Sequence, residues 1–216
     1  MTAELSTTRS YRGQSQEQRR AERRERLIAA AIDVYGERGY HQATVKSVCE
    51  AAGLTERYFY ESFLNSEMLL IDCYNTVAYR MLDEILRAGE AAGPQTHERG
   101  RAMLRAYLAA LQREPRSARV FLAEIRGVSR AVDQAFDASL RAIGRAVAGM
   151  IAPGAADDEL LQAGVIGGVI HIVLRWIENG YQPPIDTAVD AALRLGAALV
   201  PVQPQPVQHA PQPQEA

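Results

Sequence analysis

The sequence is poor in cysteine, in lysine and in β-type alternation. Only Cys49 and Cys73 occur among 216 residues, both inside apolar helical patterns. That usage points to reduced, buried thiols and excludes a disulfide framework or a thiolate metal site. The four histidines, His41, His97, His171 and His209, are scattered and share no ligand spacing. No HExxH pair, phosphate loop or Gly-rich turn behind a strand occurs, so nothing supports an enzyme, and neither cofactor nor metal is expected. The first 15 residues are polar and lack the apolar core of a secretory signal, which favours a cytoplasmic protein. No strand-like alternation runs beyond a few residues, so the expected class is all-α.

What is present is helical periodicity. The chain is 47% hydrophobic, enough for a sizeable core. Residues 1–16 and the Pro/Gln tail at 201–216 lack apolar content and read as disordered. A first helix is expected from about Gln18 to Glu37, with Leu27, Ala31 and Val34 along one face and Gly39 closing it. A long helix capped by Asn65 follows the segment discussed next, and Ala92-Gly93-Pro94 marks a turn. Further helices are expected over Thr96 to Glu114, Pro115 to about Arg126, Ser129 to Met150, from Asp157-Asp158-Glu159 to Glu178, and roughly Asp186 to Val200. Leu160 to Ile177 has the length of a membrane span, but Gln162, His171 and Arg175 interrupt it. A doubly buried helix of a protein with no membrane contact is the better account. Gly164 and Gly168 share a face, which permits close helix approach either inside one subunit or between two.

The most informative stretch is residues 44–63. Thr44 is placed to cap one helix and Thr55 the next. Val45, Val48 and Ala52 line one face of the first, and Gly53 supplies the left-handed residue that ends it. Leu54, Phe59 and Phe63 give the second helix a buried side, leaving Thr55, Glu56, Arg57, Tyr58 and Tyr60 exposed. Taken alone, the stretch is either two core-packing helices joined by a Gly turn or a helix-turn-helix, which lays its second helix in the DNA major groove. Ahead of Leu27 lie Arg9, Arg12, Arg19, Arg20, Arg23, Arg24 and Arg26, interleaved with Glu17, Glu22 and Glu25. Net charge is −2, so any polyanion contact must be local. This cluster is either a solvated helix face or a phosphate-binding segment.

With Gly39-Tyr40 upstream and Tyr58-Phe59-Tyr60-Glu61-Ser62-Phe63 downstream, residues 20–72 resemble the TetR (tetracycline-repressor-like) family of regulators. The resemblance implies a helix-turn-helix DNA-binding domain at 17–64 and a helical ligand-binding and dimerisation domain at 65–200. It implies a homodimer on a near-palindromic double-stranded operator, in which the last two long helices pair with their twins. Thr44, Lys46, Thr55 and Tyr60 match positions that touch phosphates in the family. Arg57 and Tyr58 are the candidates for base edges, through guanine N7 and O6 and a thymine methyl. Glu56 either accepts from cytosine N4 or stabilises the helix N-terminus. Two departures stand out: Ser66 replaces the lysine common at the start of the next helix, and Ser62 precedes the closing Phe63. Tyr107, Phe121, Phe136, His171, Arg175 and Trp176 are candidates to line a pocket for a small hydrophobic or amphipathic effector. Each is equally readable as core. The expected function is a repressor released by that effector, with a DNA-binding architectural or partner-controlled factor as the alternative.

Overall fold

A computed structural model describes residues 15–151 and 158–197 of the chain. Its elements are α1 (Gln16–Arg38), a 3-10 turn (Tyr40–Gln42), α2 (Val45–Ala52), α3 (Glu56–Ser62) and α4 (Ser66–Ala91). They continue with α5 (Thr96–Arg113), α6 (Pro115–Arg119), a π-helical turn (Val120–Glu124), α7 (Arg130–Ile151), α8 (Glu159–Glu178) and α9 (Ile185–Gly196). Every described element is helical, as the periodicity requires. The expected arm and tail lie almost wholly outside the described residues. Within them, α1 begins two residues earlier than its periodicity suggested, because Ser15 and Gln18 form a reciprocal capping box.

The chain divides into two compact units. One joins the residues up to Arg80 with Arg113–Phe136, and the other joins Met81–Gln112 with the residues from Asp137 onward. In the first unit α1 is central. Its Leu27, Ala31, Val34 and Tyr35 are buried, α2 and α3 pack on its first half, and α6 crosses its second half. The crossing is made at Gly36, where a Cβ would lie 2.5 Å from the Arg116 Cβ and 2.6 Å from its Cα and carbonyl oxygen. Arg116 also pairs with Asp33 (3.4 Å) and Glu37 (4.0 Å) across the crossing. Cys49 and Cys73 are buried free thiols, as expected. Tyr74 stacks on Phe121 with ring centroids 5.4 Å apart.

In the second unit α9 packs on both α5 and α8. Arg101 pairs with Asp190 and Arg105 with Asp186. Gly100 faces Leu193, and Gly168 backs onto Leu195 so closely that a Cβ would sit 2.4 Å from its Cδ2. Gly168 therefore serves a contact inside the chain, whereas nothing lies within 4 Å of a Cβ at Gly164. The expectation that Leu160 to Ile177 forms a doubly buried helix needs correction. Only Gln162, Val165, Val173 and Trp176 of α8 are buried, and Leu160 is 87% exposed. Among the described residues, one helix, Glu159–Glu178, is long and apolar enough to cross a membrane. It turns only part of that surface toward its own chain.

Two stability tests follow. Gly36→Ala should cost about 1–3 kcal/mol of unfolding free energy, because the clash is with backbone that cannot rotate away. Denaturant titration measures it. Burial pushes the Tyr35 phenol and the Cys73 thiol well above their ordinary values. Both stay neutral in the fold but ionise at ordinary values once unfolded. Their contribution is intact below the unfolded thiol value, about pH 8.5, and is lost as pH rises above it. Denaturation midpoints should accordingly fall between about pH 9 and pH 11, less so in Cys73→Ala.

Candidate nucleic-acid interface

The two short helices are built by local chemistry. The Thr44 hydroxyl accepts from the Ser47 N–H (3.1 Å), and the Ser47 hydroxyl accepts from the Thr44 N–H (3.0 Å). Gly53 ends α2 at φ 62°, a left-handed conformation that suits glycine. Thr55 then occupies the N-cap of α3, but its hydroxyl makes no capping bond, contrary to expectation. The side chain is left at the exposed start of the helix. Phe59 is fully buried and Phe63 nearly so, and these two rings anchor the underside of α3.

The candidate DNA contacts occupy the opposite side. Thr44, Lys46, Thr55, Arg57 and Tyr60 are exposed, Tyr60 by 60%. Lys46 lies 3.9 Å from Glu50, a solvated pair of little consequence. Tyr58 is only half-buried, and the Arg23 guanidinium sits 4.4 Å over its ring. One face of that ring is therefore covered. Arg57 Nε donates to Glu61 Oε1 at 3.1 Å. Glu56 is exposed in the first turn of α3, where a carboxylate suits the helix dipole.

What the sequence reading missed is the work of the arginines on α1. Arg20 donates to the Glu61 carbonyl (2.5 Å) and Arg24 to the Ser62 carbonyl (2.9 Å), both at the C-terminal end of α3. Arg24 also bonds Asp72 of α4 and lies 4.3 Å over the Phe63 ring. Arg26 donates to the Ala52 carbonyl at the end of α2 (2.6 Å). The last carbonyls of a helix have no partner within it, so these guanidinium groups satisfy groups that would otherwise rely on water. A signal for this was available. Arg20, Arg23 and Arg24 precede Leu27 by seven, four and three residues, which puts them in line with the apolar face of α1.

Tyr40 is the second omission. Its hydroxyl shares a hydrogen bond with Ser66 (3.1 Å), and its N–H donates to Glu124 (2.7 Å). Glu124 also accepts from Arg119 (2.7 Å). Ser66, the departure from the common lysine, thus fastens the start of α4 to the turn ahead of α2.

With this geometry in place, residues 27–73 match the model for the N-terminal domain of bacterial regulatory proteins of the tetR family. This stretch is similar to the N-terminal domain of TetR-family regulators. The TetR match spans α1 from Leu27, the helix-turn-helix and the start of α4. Solved structures share the fold over most of the chain. The fatty acid degradation regulator FadR from Bacillus halodurans is 20% identical with a TM-score of 0.70, over 82% of this chain and 94% of that one. FadR from Bacillus subtilis, solved in complex with stearoyl-CoA, is 22% identical with a TM-score of 0.68, over 82% and 97%. A TetR-like transcriptional regulator from Rhodococcus sp. RHA1 is 20% identical with a TM-score of 0.60, over 81% and 93%. No curated protein matches the chain in sequence.

The six candidate effector residues beyond the matched stretch are split between the two units. Phe121 and Phe136 belong to the first, both against Tyr74, at 5.4 and 5.6 Å between ring centroids. Tyr107, His171, Arg175 and Trp176 belong to the second. Tyr107 is buried on α5. His171 and Arg175 are exposed on α8, with Arg175 paired to Glu178 at 3.3 Å. Trp176 is buried, and its Nε1–H donates to the Pro183 carbonyl (2.7 Å). A separate cleft of about 180 Å³ in the second unit is lined by α7 and α8 residues including Leu140, Arg141, Arg145, Ala163 and Ile166. None of the six lines it.

The capping arginines give a direct test. Charge-assisted bonds contribute about 1.5–3 kcal/mol when desolvated. The Arg24 side chain is 40% exposed, so screening lowers the expectation to about 1 kcal/mol for Arg24→Ala. Hydrogen exchange should show the loss concentrated in α3 amides, with α1 amides protected as in the wild type.

Proposed function

We propose that the chain is a DNA-binding transcriptional regulator that acts as a homodimer, most simply a repressor released by a hydrophobic or amphipathic effector. The observation that carries this reading is the disposition of α3. Its C-terminal end is bonded to α1, while Thr55 and Arg57 at its N-terminal end and Tyr60 further along the same open side are left to solvent. A helix held that way presents its N-terminal residues to base edges. Arg57 is the base-reading residue, with guanine N7 and O6 as partners, and Tyr58 offers its ring edge to a thymine methyl. Thr44, Lys46, Thr55 and Tyr60 hold phosphates.

One reading helix covers a half-site, so a near-palindromic operator calls for two copies. The exposed surface of α8, with Leu160 and Gly164, supplies an apolar face for the second copy. The division into a DNA-reading part at 17–64 and a sensing and pairing part at 65–200 is proposed on the same ground. The stearoyl-CoA bound by FadR of Bacillus subtilis favours an amphipathic effector of the acyl-thioester kind. An effector shifts the regulator off DNA only if it binds the released form more tightly. Stearoyl-CoA should therefore both raise the melting temperature and weaken operator binding. A DNA-binding factor without a switch would show neither effect with any lipid or drug tested.

Arg57→Ala should relax sequence preference by about 1–3 kcal/mol at one base pair per half-site, without loss of helicity. Lys46→Ala should weaken all duplexes alike and reduce the log-affinity against log-salt slope by about one. Competition binding at several salt concentrations separates the two. Sedimentation at micromolar concentration should give a dimer, and a stable monomer would remove the half-site argument.

A further inference from the structure

Glu61 looks out of place on a helix that reads DNA, because it adds a negative charge next to phosphates. Its surroundings explain the carboxylate. One oxygen, Oε1, accepts from Arg57 Nε at 3.1 Å, one helical turn back. The other, Oε2, lies 3.6 Å from Arg23 of α1. The Glu61 carbonyl accepts from Arg20 at 2.5 Å. The Glu61 side chain is 35% exposed and the Arg57 side chain 84%. The carboxylate is therefore bracketed between one arginine fixed on α1 and one arginine on the open face of α3.

The edge of the guanidinium that Glu61 engages matters. An arginine can donate sideways, through Nε and one Nη, or end-on, through Nη1 and Nη2. The Glu61 bond occupies Nε and leaves the end-on fork, which matches the N7 and O6 pair of guanine. An unsupported arginine on an exposed helix samples many rotamers and loses that freedom on binding. We infer that Glu61 is a positioning residue that holds Arg57 with its Nη1–Nη2 fork presented to a single guanine in each half-site. Arg23 completes the device by holding Glu61, and the same guanidinium covers the Tyr58 ring at 4.4 Å. The isolated pair contributes little to stability at this exposure. Its effect lies in selectivity, because a carboxylate beside the fork also repels any base that offers an acceptor where an amino group is needed.

The inference rests on Arg57 as the base reader, so the experiment tests the two separately. Duplexes selected by the wild-type protein from a random pool supply the probe. Each guanine in the half-site is then replaced by 7-deazaguanine, which lacks the N7 acceptor, or its pair is changed to A·T. Arg57→Ala should abolish discrimination at one guanine. Glu61→Ala should lower discrimination at that same guanine by roughly fivefold or more, a fraction of what a bidentate contact carries. Non-specific affinity should rise at the same time, since a negative charge is gone. Glu61→Gln keeps an acceptor for Nε and should restore most of the discrimination. The Arg57→Ala/Glu61→Ala double variant should discriminate no worse than Arg57→Ala. If Arg57→Ala loses the guanine preference while Glu61→Ala keeps it, the positioning role is overturned and Arg57 remains the reader. If Arg57→Ala retains the full preference at every position, the reader assignment fails and the role of Glu61 with it. Circular dichroism melts of each variant show that the comparison is between folded proteins.

Discussion

The two short helices α2 and α3 depend on guanidinium groups bonded to open carbonyls. α3 has seven residues and α2 has eight, too few for either to persist unaided in water. Phe59 and Phe63 supply apolar anchorage for α3, but burial alone does not fix the rotation of so short a helix. Arg20 and Arg24 do that from one end, and Arg26 does the same for α2. The placement also sorts the helix dipoles. Cations stand at the negative ends, where they are favourable, and the positive ends at Thr44 and Thr55 are left to solvent. A surface that meets phosphates gains from that arrangement twice, through the dipoles and through the N–H groups of the first turns.

α1 is held at its other end by different partners. Gly36 admits the backbone of α6 at Arg116, and Asp33 and Glu37 pair with the same arginine. Glu124, at the end of the π-helical turn, accepts from Tyr40 just beyond α1. The residues joining α1 to α2 are thus fixed by a segment about eighty positions later in sequence. Val120, Phe121 and Leu122 of that turn are buried, so the segment belongs to the core of the first unit and is no surface appendage. The first compact unit therefore extends well past the three helices that the motif alone delimits.

Much of this was legible from residue order. The capping roles of Thr44 and Asn65, the left-handed Gly53, the buried cysteines and most helix boundaries followed from short-range chemistry. What escaped depends on contacts between residues distant in sequence. Arg24 with Ser62 and Asp72, Tyr40 with Glu124, and Gly36 with Arg116 have no local signature beyond spacing. The candidate effector residues show the same limit. Phe121 and Phe136 fit the helical periodicity well, yet periodicity says only that a face is covered. It does not say whether the covering group is another ring, here Tyr74, or a ligand. α8 reverses the case: its apolarity suggested burial on both sides, and within one chain only four of its residues are buried while Leu160, Ala163 and Gly164 are exposed.

The preference for arginine over lysine can now be given a structural reading at particular positions. Arg24 bonds a carbonyl and a carboxylate and lies on an aromatic ring at once. Arg23 reaches a carboxylate while covering Tyr58. A planar fork with five donors can serve several partners in fixed directions, whereas an ammonium is a compact charge on a flexible stem and favours no plane. Lysine at position 20, 24 or 26 would keep the charge and lose the geometry. Lys46, the single lysine, stands where geometry matters least: on the open face of α2, with only a solvated carboxylate 3.9 Å away. Under the DNA-binding role proposed above, a mobile point charge there would suit a phosphate, which carries no sequence information. On that proposal the two kinds of cation divide two tasks: arginine fastens the helix-turn-helix to α1, and lysine is left to attract a polyanion.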